Sequence, residues 1–163
     1  MMYPNNGGRD FRGGPGRGPG KPQGSQGGRP PYASERTEAK PIEALPIPAD
    51  YLDRAEEIMR QQYRLITTSK LRRLLSLVTE VYNEENLRTE SELSEESQAA
   101  VGLMRIRFAY EGGRDSKVKD FIAKAYLLEY LKGIGSSRDD FIRFAHYMEA
   151  LVAYHRFFGG REN

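Results

Sequence analysis

The chain has 163 residues, no cysteine, and 25 basic against 23 acidic side chains, a formal charge of +2. Those figures rule out disulfides, cysteine-held zinc and thiol nucleophiles, fit a reducing compartment, and leave no net field from which to argue a partner. No run approaches the ~20 apolar residues of a membrane span and no apolar signal-peptide core is present, so a soluble cytoplasmic protein is expected.

Residues 1–40 hold ten of the 17 glycines and six of the nine prolines, with seven Lys/Arg against three Asp/Glu. Such a stretch cannot form a core, and residues 1–48 are expected to be a disordered basic Gly/Pro-rich arm with an extended lead-in through Pro41, Pro46 and Pro48. Its Arg-Gly character, with Phe11 and Tyr32 interspersed, resembles segments that hold single-stranded nucleic acid, and is equally the composition of a plain linker. No Gly-Lys-Ser/Thr follows, which excludes a phosphate-binding loop there. Residues 49–163 are expected to form an all-α domain, a compact bundle of about five helices, with enough chain to bury a core unaided.

The first helix, about Ala49 to Tyr63, places Leu52, Ala55 and Met59 on one side. The second starts from the Thr67-Thr68 pair and carries Leu71, Leu74, Leu75, Val78, Val81 and Tyr82. A polar link from Glu84 to Ser94 leads to a third helix stopped by Gly112-Gly113. Its residues Val101, Met104 and Phe108 form one apolar face and Leu103, Ile106 and Tyr110 the opposite one, a pattern that predicts packed neighbours on both sides. The fourth, capped by Asp115 or Ser116, carries Val118, Phe121, Ile122 and Ala125, and then Leu127, Leu128, Tyr130, Leu131 and Ile134 all round its axis, as in a buried or subunit-contact end. The fifth begins near Ser137, with Asp139 and Asp140 at its positive end, and runs to Phe158 before Gly159-Gly160.

Catalytic constellations are scarce. His146 and Glu149 are three residues apart, but His155 is nine beyond His146 on the side of Met148 and Leu151, so the three do not converge on a metal. The same geometry argues against a ribonuclease using the two histidines as acid and base. No serine sits in a nucleophile elbow. No metal, cofactor or catalytic residue is expected.

The cations are distributed more suggestively. Lys70 and Arg72 flank the stripe of the second helix on opposite sides, with Arg73 near its solvent side. Arg105 and Arg107 fill the gaps between the faces of the third. Arg114, Lys117 and Lys119 follow the double glycine, Arg138 precedes the last helix, and Arg143 opposes its apolar side. Cations spread over several helices contact successive phosphates if the fold unites them. Tyr147, Tyr154 and Phe157 would stack on bases or pack against helices.

The order of words carries a resemblance. Thr67-Thr68-Ser69-Lys70-Leu71-Arg72 is followed by Tyr110-Glu111-Gly112-Gly113-Arg114-Asp115. The last helix then reads Phe141-Ile142-Arg143-Phe144-Ala145-His146-Tyr147 through Tyr154-His155-Arg156-Phe157-Phe158-Gly159-Gly160. Over about Asp50 to Arg161 this resembles the small helical subunit of type III-A CRISPR effector complexes, the Csm complexes of prokaryotic antiviral defence, with Tyr147 to Gly160 the specific part.

The resemblance implies a non-catalytic subunit, several copies of which line the channel holding guide CRISPR RNA and target RNA, beside backbone and large subunits that do the cutting and signalling. Specificity then comes from base pairing, and a lining subunit holds sugar-phosphate. Word position assigns Lys70, Arg72, Arg114, Arg138 and Arg143 to phosphate contact, with Arg73, Arg105 and Lys119 beside them. The alternatives are a purely protein-bridging assembly subunit and a histidine-dependent ribonuclease.

Overall fold

In the computed structural model the described residues are 39–163, together with Gly14, Gly16, Gly18 and Gly20. The expected arm over residues 1–38 otherwise lies outside them. Six helices form: α1 (Tyr51–Gln62), α2 (Thr68–Glu85), α3 (Glu95–Arg114), α4 (Ser116–Lys124), α5 (Leu127–Ile134) and α6 (Arg138–Phe157). Among the described residues no strand forms, apart from one isolated bridge between Glu92 and Ser137. None of the described helices is long and apolar enough to cross a membrane.

Four helix starts are set by side-chain caps. Thr67 accepts from the Lys70 amide, Ser94 from Ser97, Asp115 from Lys117 and Val118, and Ser137 from Asp140, each satisfying amides that the helix leaves unpaired. The remaining free amides at the start of α2 are met from the other end of the chain. Thr68 N donates to the Arg161 carbonyl at 2.8 Å and Ser69 N to that of Glu162 at 3.4 Å, so the C-terminal residues close over this helix end.

The apolar stripes meet around α6, which packs against α1, α2 and α5, while α3 packs on α2, α4 and α5. Phe108, Phe121, Phe141, Phe144, Tyr147 and Leu151 are fully buried at the centre. At ~25 cal/mol per Å2, burying each such side chain contributes about 2 kcal/mol before entropy is charged against it.

Four sequence expectations are revised. The expected fourth helix is two, α4 and α5. Tyr147 donates its hydroxyl to the Ala125 carbonyl at 3.0 Å, ending α4, and Tyr126 turns the chain in the left-handed region at φ 53°. The Gly112-Gly113 pair does not stop α3, which runs through it to Arg114. Gly112 serves a close helix approach instead, since a Cβ there would sit 3.4 Å from both the Ile122 side chain and the Lys119 backbone. Leu52 faces outward. The second face of α3 is left largely uncovered, with Leu103, Ile106 and Tyr110 56%, 64% and 63% exposed.

The apolar all-round end of the fourth predicted helix is interior: Leu127, Tyr130, Leu131 and Ile134 are buried. Residues 39–48 run extended across α5, where Leu45 N donates to the Glu129 carbonyl at 3.1 Å and Ile47 is buried. Gly133 lies directly beneath, and a Cβ there would fall inside contact distance of the Leu45 backbone.

Candidate nucleic-acid interface

The start of α2, the end of α3 and the start of α4 meet at one junction because Val118, Phe121 and Ile122 of α4 pack into the core beside α3. The meeting unites cations that are about forty residues apart in sequence. Arg73 Nη1 lies 3.2 Å from Glu111 Oε2, and Arg114 Nη1 lies 3.4 Å from Glu111 Oε1, so a single carboxylate collects both guanidiniums. Lys70 pairs with Asp115, the cap of α4. That contact, with the amides of Lys117 and Val118, holds the Asp115 carboxyl below its ordinary range against the opposing effect of desolvation. Arg114 also lies over the ring of the exposed Tyr110, 5.5 Å from its centroid.

Lys70, Arg73 and Arg114 are therefore brought together. Arg72 sits beside them on α2, exposed and without an ion pair among the described residues. Lys119 is likewise exposed, on the rim of an apolar groove lined by Phe108, Ala109, Ile122 and Leu128. Arg105 is half-buried midway along α3, near Ile106 and Lys132. Arg143 stands apart on α6, 53% exposed and 3.5 Å from Asp140.

Arg138 is turned inward. Its side chain is only 15% exposed, and its Nε donates to the Glu85 backbone carbonyl at 2.8 Å and lies 3.8 Å from Glu85 Oε2. Glu85 itself is fully buried. Burial alone would raise its carboxyl, yet the Ser97 hydroxyl, the Ser94 amide and Arg88 outweigh that and lower it. Arg88 Nη1 donates to both carboxylate oxygens, at 3.1 and 3.0 Å. Leu93 N donates to the Ser136 carbonyl and Arg138 N to that of Ser91, which laces the α2–α3 link to the α5–α6 link. Arg138, assigned to phosphate contact by word position, is thus turned away from the surface, because the backbone carbonyl and buried carboxylate of Glu85, 53 residues upstream, claim it.

The two histidines differ in exposure and do not face one site. His155 is fully buried; its Nε2–H donates to the Ile66 carbonyl at 2.8 Å and its Nδ1 faces the Thr68 hydroxyl at 3.4 Å. His146 is half-buried, with Nε2 3.4 Å from the Tyr82 hydroxyl. Among the described residues no three His, Asp or Glu side chains gather to hold a metal ion. Of the aromatics considered for stacking, Tyr147 is interior and Tyr154 lies against Phe158, while Phe157 is 80% exposed. Sequence reasoning missed Tyr110, whose i,i+4 spacing to Arg114 was the available signal. It also missed Glu85, for which there was none.

The comparisons with known proteins agree in direction. The family model described as Csm2 Type III-A matches residues 47–161. The CRISPR system Cms protein Csm2 of Mycobacterium tuberculosis (strain H37Rv) is 40% identical over 115 residues, covering 68% of this chain and 93% of the relative. That of Streptococcus thermophilus is 40% identical over 119 residues, covering 69% and 94%. That of Enterococcus italicus is 36% identical over 95 residues, covering 57% and 68%.

Proposed function

Since the chain belongs to the Csm2 family of type III-A CRISPR systems, and is thereby a subunit of a type III-A effector complex, we propose that it holds RNA without cutting it. In this reading several copies lie along the guide RNA and target RNA in the cytoplasm, each gripping sugar-phosphate and leaving sequence to base pairing. The observation that carries it is the junction of Lys70, Arg73 and Arg114, with Arg72 beside them. Exposed ion pairs of this kind contribute only about 0.2–1 kcal/mol each, so a phosphate can take the place of Glu111 or Asp115. Arg143, Lys119 and Arg105 are secondary contacts on this proposal, and Arg138 is assigned to the scaffold. Docking to other Csm subunits and to further copies falls to the outer face of α3 and to Phe157.

The absence of cutting is supported by the sealed position of His155, which no phosphodiester can reach. A double reversal, Arg73→Glu with Arg114→Glu, tests the grip. RNA affinity measured across salt in the assembled complex should drop, and the slope of log K against log salt should become shallower by about one for each phosphate no longer neutralised. An unchanged affinity and slope would remove the junction from the RNA path.

A further inference from the structure

Tyr126 is the one non-glycine residue with positive φ among the described residues. It sits at the α4–α5 corner with φ 53° and ψ 34°, a conformation that glycine or asparagine adopts with less strain. A bulky side chain retained in such backbone normally repays the strain through its own packing or hydrogen bonds. Here it does not: the residue is 46% exposed, and the ring's one aromatic neighbour among the described residues is Tyr130, 6.1 Å away between centroids and tilted by 42°. The phenol is held out, over a cavity.

That cavity, about 310 Å3, lies between α1 and the corner. Tyr126 and Tyr130 form one wall, with Arg54, Glu57 and Gln61 of α1 and Lys124 of α4 around it. Its size suits one nucleoside. The lining supplies an aromatic face, an amide able to pair with a base edge, and a cation. Arg54 is already held by Asp50 at 3.0 Å, whereas Lys124 is exposed, has no carboxylate partner among the described residues and is free for a phosphate.

We infer that this cavity receives a single unpaired nucleobase of RNA, stacked on Tyr126, with Lys124 on its phosphate. The inference rests on the RNA-holding role above but concerns a separate surface. It explains why the corner is tyrosine: the ring's stacking on a base outweighs the backbone ease that glycine would give.

The test uses the full-length chain with single-stranded RNA carrying pyrrolocytosine, whose emission falls on stacking, and in a parallel arm with free pyrrolocytidine monophosphate. The wild-type chain and Tyr126→Phe should quench the labelled strand. Tyr126→Gly should not, and it should bind about tenfold more weakly, as expected when one base–aromatic stack is removed, while melting no lower than wild type. Quenching of the free nucleotide as well would support a self-sufficient base pocket; quenching of the strand alone would support capture from RNA only. Undiminished quenching by Tyr126→Gly overturns the inference. So does a strand bound through Arg73 and Arg114 with unchanged emission, which leaves the junction standing. Loss of binding in neither the junction reversal nor Tyr126→Gly instead overturns the RNA-holding role beneath both.

Discussion

His155 donates from Nε2 to the carbonyl of Ile66 at 2.8 Å, tying the end of α6 to the turn between α1 and α2. The ring is sealed on its other side by Gly160, where a Cβ would overlap the imidazole, and by Thr68, whose hydroxyl lies 3.0 Å from the Arg161 carbonyl that it donates to. The histidine and the Thr67-Thr68-Ser69 word thus belong to one clasp joining the C-terminal residues to the start of α2. His155→Ala should cost about 3 kcal/mol, the sum of a cavity and an unpaired carbonyl. Thermal or urea unfolding measures this directly. RNA turnover by the purified chain is expected to be absent before and after the change; turnover that disappears with the imidazole would revive the nuclease reading.

The Glu85 cluster makes stability depend on acid. Its carboxyl is lowered from an ordinary 4.5 in the folded state, so folding gains from the ionised form above that value and loses the gain as pH falls through the lower folded value. Asp115 acts in the same sense from its pairing with Lys70. Melting temperature should therefore hold near neutral pH and fall below about pH 4.5, the ordinary value of Glu85. Glu85→Gln should destabilise by about 3 kcal/mol at neutral pH, because Arg88 and Arg138 lose a buried counter-charge. The gap between wild type and variant should narrow as acid protonates the native carboxylate. A constant gap down to the acid limit would mean that charge is not what the cluster uses.

Gly133 is where the extended lead-in touches the bundle. Gly133→Ala places a methyl against the Leu45 carbonyl, and since backbone rather than a pliable side chain is in the way, residues 39–48 must lift. A loss of about 1–3 kcal/mol is expected. Hydrogen exchange gives the sharper readout: the Leu45 amide, now bonded to the Glu129 carbonyl, should exchange much faster in the variant, while amides in the centre of α6 keep their protection. Unchanged protection at Leu45 would show that the strap tolerates the methyl.

What is legible in the sequence is local. Thr67, Ser94, Asp115 and Ser137 mark their helices because a cap needs only residues two or three positions away. The α4–α5 break is not legible, because the group that ends α4 is the Tyr147 hydroxyl, 22 residues downstream, within a stretch that otherwise reads as continuous helix. Gly112 misleads for a related reason, since a glycine that terminates a helix and one that admits a neighbour are the same letter. The two faces of α3 are plainly apolar in the sequence, but periodicity cannot tell a neighbour in the same chain from one supplied by another subunit. In the candidate site, the cations are visible and their grouping is not. Arg73 and Arg114 meet only because Glu111 lies between them, and Arg138 leaves the surface only because Glu85 is buried.

Arg138 and Arg143 look alike in sequence, one at the start of α6 and one a turn further on, and the structure separates them by what each touches. Arg138 gives its Nε proton to a carbonyl in the closed joint of two links, so Arg138→Ala leaves the Glu85 carbonyl with the Arg88 amide as its one remaining donor and removes one of two cations beside a buried carboxylate. A loss of about 2 kcal/mol in unfolding follows. Arg143 faces solvent beside Asp140, and Arg143→Ala should change stability by less than about 0.5 kcal/mol. Their effects on RNA should run the other way: at a temperature where both variants are folded, Arg143→Ala should weaken binding modestly with a shallower salt slope, whereas Arg138→Ala should leave the slope alone. A stable Arg138→Ala chain with a reduced slope would return this residue to the phosphate path and require its side chain to swing out of the joint in the complex.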